Sequence, residues 1–292
     1  MKYYFVSNAS EQYLFVTRKH KCSILLSYFL IRNKKQIVPI LSTYPADILL
    51  DCGAFSAWSL NSKIQLDEYV KFVVENSHLF EKILSLDEIQ KDNTSQAKIE
   101  SGKKSYENYL VMRKFVPYPK LVPVFHFEED FSLLEQYIKD GNDVIGLGGL
   151  AGSFKPGSKG KLDVKRSMCW FAKIFTTFSK QKFHGLGMFS KTLLLTFPFY
   201  SVDSTHWLQT GRYGHILGFD DSKMKLWQLS FRDKKTWDKL TELKSKGTTS
   251  FRSLADFPGS KNYLNRSSMS IVEIRKYVDF VTKLWEVRGI KW

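Results

Sequence analysis

Short apolar runs recur along the chain, each followed by a polar stretch or by a segment with helical spacing. Tyr3–Val6, Gln36–Ile40, Asp47–Asp51, Lys82–Leu86, Leu121–Phe125, Asp143–Leu147, Lys182–Gly187 and Tyr200–Asp203 read as strands. Several are unbroken aliphatic or β-branched runs, the pattern of parallel strands buried on both faces. Between them, Leu66–Leu79, Lys104–Phe115, Phe131–Lys139 and Asp163–Phe178 carry apolar residues at helical intervals. Strand alternating with helix predicts a parallel α/β fold. Eight strands favour a (β/α)8 TIM barrel over an open doubly wound sheet. No G-x-G-x-x-G follows the first strand, which weakens the dinucleotide-binding alternative. The expectation is one barrel domain over residues 1–292.

The C-terminal portion, 221–292, differs in character. It holds 16 Lys+Arg against 8 Asp+Glu, with Trp227, Trp237, Trp285 and Trp292 among the charges. Basic residues mixed with aromatics suit phosphate contact and base stacking. Ser270–Val287 reads as an amphipathic helix whose Ile271, Ile274, Val278, Val281 and Trp285 share one face. That stripe is best read as core, so the expectation is a basic α-helical segment that completes or flanks the barrel.

Composition narrows the function. The three cysteines, Cys22, Cys52 and Cys169, are scattered and no pair has C-x-x-C spacing, which argues against a zinc site or a disulfide framework. The longest apolar run, around Ile24–Ile31, is too short to span a membrane. The N-terminus lacks a signal-peptide layout, so a cytoplasmic protein is expected. The formal net charge is +15. A basic balance of this size favours a polyanionic partner, most often nucleic acid.

In a β/α barrel the C-terminal ends of the strands face the working site. Here Asp51, Asp87 and Asp203 each end an apolar run, as does His126, while Gly148-Gly149-Leu150 and Gly187 end two more. One Asp at a strand end is usually a turn former or a helix cap. Three at equivalent places suggest shared chemistry. Paired carboxylates suit an anomeric carbon, where one attacks and the other moves protons. The glycines would let a flat ligand lie against bare backbone, and Phe55 could stack on it. Gly152–Lys161 (GSFKPGSKGK) is a basic surface loop or a phosphate-contacting flap. Cys52 reads as a small buried residue, His184 as a pocket or core histidine, His206 as supporting or DNA-contacting, and His215 as structural.

The ordered set LLDCGAF, LSLDE, PVFH, GLGGLAG, FHGLGMFS and SVDSTHWL resembles the tRNA-guanine transglycosylase superfamily over roughly Asp47–Leu208. That family is a (β/α)8 barrel that exchanges guanine for a 7-deazaguanine through a covalent aspartyl intermediate. The resemblance implies Asp203 as nucleophile and Asp51 in proton transfer. It implies Asp87 on the purine's Watson–Crick edge and Phe55 stacked on the base. Gly148, Gly149, Leu150, Gly187 and Met188 would line the pocket, and His126 stands where the family usually carries glutamine. The family's Cys/His zinc site has no counterpart, since no cysteine lies beyond Cys169. A compact, basic chain without that site resembles the phage-type DNA 7-deazaguanine transglycosylases. The implied partners are DNA and a free preQ0-like 7-deazaguanine base, with no cofactor, no metal and no membrane. Lys155, Lys159 and Lys161 in the flap, with Lys234 and Lys235 near the C-terminus, are the candidate phosphate contacts. A tRNA enzyme, another barrel enzyme acting on a small sugar, and a non-catalytic nucleic-acid-binding barrel are the alternatives.

Overall fold

The computed structural model describes residues 1–34, 36–89, 94–150, 160–220, 222–230, 238, 241 and 263–292. Nine strands form one parallel sheet: β1 (Lys2–Ser7), β2 (Ile24–Ser27), β3 (Ile48–Asp51), β4 (Lys82–Leu84), β5 (Leu121–Val122), β6 (Val124–His126), β7 (Val144–Gly148), β8 (Lys182–Gly185) and β9 (Ser201–Ser204). Their order is β5-β4-β3-β2-β1-β9-β8-β7-β6. The two ends of that order are consecutive in the chain, separated by Pro123. Val122 pairs with Leu84 of β4, and Val124 pairs with Gly146 of β7. One extended segment therefore bonds β4 with its first half and β7 with its second, and this closes the sheet into a TIM-like barrel. Pro123 has no N–H to give, which splits the segment. Its carbonyl still accepts from the Gly146 N–H at 2.8 Å.

The helices are α1 (Glu11–Lys19), α2 (Tyr28–Ile31), α3 (Ile37–Ser42), α4 (Ala54–Ser59), α5 (Leu66–Asn76), α6 (Ser95–Met112), α7 (Phe131–Lys139), α8 (Gly160–Thr177), α9 (Lys191–Thr196), α10 (His206–Arg212) and α11 (Tyr263–Val287). Between α10 and α11, β10 (His215–Asp220) and β11 (Lys225–Ser230) make an antiparallel hairpin. No helix among the described residues is long and apolar enough to cross a membrane.

The period-two alternation of the strands sorts their side chains into two shells. Tyr4, Leu25, Leu49, Leu84, Val122, Val124 and Val144 fill the barrel interior. Tyr3, Phe5, Ile24, Leu26, Ile48, Leu50, Ile83 and Phe183 point outward into the layer shared with the helices. The same alternation carries the inward face upward to Ser27, Asp51, His126, Gly148 and Asp203. The register agrees: Ser27 pairs with Asp51, His126 with Gly148, and Asp203 with inward-facing Tyr4.

Two expectations about elements are corrected. Gln36–Ile40 is not a strand, because Ile37–Ser42 is α3. Pro39 falls in its first turn, where a missing N–H costs nothing, whereas in a buried strand it would break a ladder bond. The strand in that part of the barrel is β2, drawn from the apolar run that begins at Ile24. The C-terminal portion is also not purely helical, since Lys225–Ser230 is β11. Trp227 lies across Gly218, at a place where a Cβ would meet its ring at 1.8 Å. The α11 stripe is core as expected: Ile271, Ile274, Val278, Val281 and Trp285 are buried. Trp285 Nε1 donates to the Leu194 carbonyl at 2.9 Å, and Glu273, fully buried, accepts from the Phe219 N–H at 2.8 Å.

Candidate active site

A cavity of about 800 Å³ opens at the C-terminal ends of the strands. Its wall contains Asp51, Phe55, Asp87, His126, Gly148, Gly149, Gly187 and Asp203, so eight of the sequence-derived site residues meet in one place. Leu150 and Met188 do not line it. Both are buried in the outer core, and Met188 packs against bare Gly185, where a Cβ would lie 3.1 Å from its own. Lys155, Lys159, Lys234 and Lys235 lie outside the described residues, and Lys161 falls in the first turn of α8.

Asp203 sits on β9 and is 4% exposed. Its Oδ1 accepts from the Gly187 N–H at 3.0 Å and meets His184 Nε2 at 3.2 Å. His184 Nδ1 in turn meets Ser201 Oγ at 2.8 Å. With Nδ1 accepting from the Ser201 hydroxyl, Nε2 carries a proton and donates to the carboxylate. Oδ1 is held from two sides, and Oδ2 has no hydrogen-bond partner among the described residues. Gly187 has φ +64, a left-handed conformation that brings its N–H round to Asp203.

Asp51 ends β3. Burial, reinforced by the charges of Asp87 and Asp203, pushes its carboxyl up to about 7, against the pull of a hydrogen bond from the Gly53 N–H. Gly53 turns the chain into α4 at φ +87, and a Cβ there would sit 2.2 Å from Ser27 Oγ. Only glycine allows that turn beneath the site.

Asp87 follows β4, lines the cavity, and has a side-chain partner on each oxygen. Its Oδ1 accepts from Cys52 Sγ at 2.8 Å, and its Oδ2 pairs with His126 Nε2 at 2.8 Å. Burial opposes its ionisation, but the hydrogen bonds and charge of His126 outweigh that and hold the carboxyl below its usual range. Helix α6 fixes the backbone around it: Asn108 Nδ2 donates to the Leu86 carbonyl at 3.1 Å, and Ser105 Oγ accepts from the Glu88 N–H at 2.9 Å. On the far side of His126, Glu129 Oε1 meets Nδ1 at 3.2 Å. Burial alone would lower the His126 pKa, but the Glu129 and Asp87 carboxylates push it up to about 10.

No protein-family model matches the chain, and no curated protein matches it either.

The rim mixes aromatics with cations. Phe55 is 50% exposed and stacks on Trp58, ring centroids 5.8 Å apart. Lys98 and Arg212 also border the opening. Lys98 and Arg166 both pair with Glu128. Among the described residues, no group of three His, Cys, Asp or Glu side chains is placed to hold a metal ion. Cys52 is buried and its thiol is pushed up well above its ordinary range, which makes it a donor to Asp87 rather than a nucleophile. His206 packs at a tilt against Phe189, ring centroids 5.2 Å apart, and is not part of the cavity wall.

Reading strand ends located three carboxylates and a histidine but missed Glu129, His184's bond to Asp203, and the α6 pair Ser105 and Asn108. Glu129 lies three residues beyond His126, and that spacing was the one available signal. Ser105 and Asn108 meet the β4 end only through the fold. Chemically, the arrangement offers one carboxylate oxygen free to attack, one carboxyl poised to give or take a proton near neutrality, and one fixed acceptor.

Proposed function

We propose that the chain is a base-exchange transglycosylase, a pentosyltransferase that replaces guanine in DNA with a 7-deazaguanine. The observation that carries this reading is that Asp51, raised to about 7, and Asp203, held through Oδ1 alone among the described residues, line one cavity. Asp203 Oδ2 attacks C1′ as the C1′–N9 bond breaks, and the bonding pair leaves with guanine. Asp51, still protonated near neutrality, gives the departing base its proton. The sugar is then held as an aspartyl ester on Asp203. The incoming base loses its proton to Asp51, and its N9 attacks C1′ and frees Asp203. Asp87 accepts from the N–H groups of the base, each of its oxygens keeping one further lone pair for that purpose. Phe55 supplies a stacking face.

A nucleotide must leave its stack to reach this cavity, at a cost of a few kcal/mol. Phosphate contacts by a chain of net charge +15 offset that cost. The test is exchange of labelled guanine into DNA and tRNA of matched sequence. Label entering DNA is the expected result. Label entering tRNA alone would move the substrate to RNA and leave the barrel chemistry standing. No label in either would remove the base-exchange reading.

A further inference from the structure

Asp87, His126 and Glu129 form a row in which one imidazole lies between two carboxylates. Nε2 is 2.8 Å from Asp87 Oδ2 and Nδ1 is 3.2 Å from Glu129 Oε1. A neutral ring has one N–H, so one nitrogen would set its lone pair against a carboxylate oxygen. Two protons satisfy both contacts. Glu129 is built for this place. It is 5% exposed, and its Oε2 also accepts from the His126 backbone N–H at 2.8 Å. Glu128 stands at φ +67, a conformation rare for a residue with a side chain, and this turns Glu129 back beneath His126. Facing it, α6 carries Gly102, where a Cβ would lie 3.2 Å from Glu129 Oε1.

We propose that Glu129 is a positioning residue that holds the His126 ring as a donor at both nitrogens, so that Asp87 faces the cavity as a fixed, ionised acceptor while Asp51 exchanges its proton. The proposal rests on the base-exchange reading and adds to it a residue of the cavity wall that acts through His126. It gives the cavity a balancing cation when Asp51, Asp87 and Asp203 all carry charge. The titratable groups around the row are Asp51 at the end of β3, Cys52 just beyond it, Asp203 from β9, Tyr69 from α5 and Tyr137 from α7. Both tyrosines are pushed up by burial and stay neutral. Beyond the row, Lys98 and Arg166 are engaged by Glu128.

The experiment is nitrogen-15 NMR of the whole protein labelled at histidine, with the His126 signals identified by their loss in His126→Gln. The wild type should show both ring nitrogens protonated at pH 8. Glu129→Gln should lose one of those protons by pH 8 and raise KM for guanine about tenfold there, the loss expected for one charge-assisted contact. At pH 6, where the ring regains its proton, the KM change should shrink below about threefold, whereas a general packing defect would weaken both alike. Glu129→Asp keeps the charge and should restore the two-proton signature. A neutral His126 in the wild type at pH 8, or unaltered ring signals and KM in Glu129→Gln, would overturn the proposal. Should Glu129→Gln not fold, the wild-type spectrum and Glu129→Asp decide. The spectrum needs no substrate: a doubly protonated ring in a protein that exchanges no base would sink the base-exchange reading and leave the Glu129 assignment standing.

Discussion

At the residue scale, three carboxylates share one cavity and differ in what surrounds them. Asp87 is held ionised by His126, Asp203 is oriented by His184 and Gly187, and Asp51 has burial and like charges against it. Asp51→Asn removes the proposed proton carrier and should slow exchange by roughly 10²–10⁴-fold, measured by labelled-guanine turnover. In the wild type, guanine release should fall about tenfold per pH unit above about 7, as Asp51 loses its proton. The stability effect has the opposite sign. A carboxyl raised on folding contributes stability that is present below its ordinary value and is lost as pH rises through about 7. Asp51→Asn should therefore melt higher than the wild type at pH 8, by roughly 2–4 °C per kcal/mol relieved, with the gap closing towards pH 4. Gly53→Ala forces a Cβ onto Ser27 Oγ and Phe29 Cβ at φ +87. It should cost at least ~1–3 kcal/mol in urea unfolding.

At the scale of elements, a strand-end reading works because period-two alternation fixes which end residues face inward. Leu49 and Asp51 share a face, as do Val122, Val124 and His126, so an apolar run ending in a polar residue shows where that residue points. What alternation does not show is which run becomes the strand. Ile24–Ser27 runs into α2 with only Ser27 interrupting the apolar residues, and its boundary is set by pairing with β1 and β3 rather than by local composition. The hairpin β10–β11 was missed because Gly218 and Trp227 are partners only after the strands pair. The α6 contacts to the Asp87 segment are equally remote in sequence. Asn108→Ala leaves the buried Leu86 carbonyl without that donor, which should cost about 1–3 kcal/mol of stability. It should also raise KM for the free base more than it lowers kcat, because it loosens the acceptor and leaves Asp203 and Asp51 in place.

At the scale of the whole molecule, the net charge of +15 and the aromatic, cationic rim around Phe55, Lys98 and Arg212 favour a polyanionic strand drawn across the cavity. DNA affinity should fall linearly with salt on a log–log plot, with a slope of about −0.7 to −0.9 per phosphate contact. Replacing Lys155, Lys159 and Lys161 together with alanine should flatten that slope by up to about one unit per residue, measured by fluorescence anisotropy, with free-base binding little changed. Single-stranded DNA should be used at least as well as duplex, since extrusion is least costly for an unpaired base. In the proposed reaction DNA becomes covalently attached to Asp203. The most direct measurement is denaturing gel and mass analysis of the protein incubated with DNA while free base is withheld. The predicted result is an adduct that survives denaturation, maps to Asp203, resolves when guanine is added, and is lost in Asp203→Asn. An Asp203→Asn variant that still forms the adduct or turns over near the wild-type rate would contradict the account.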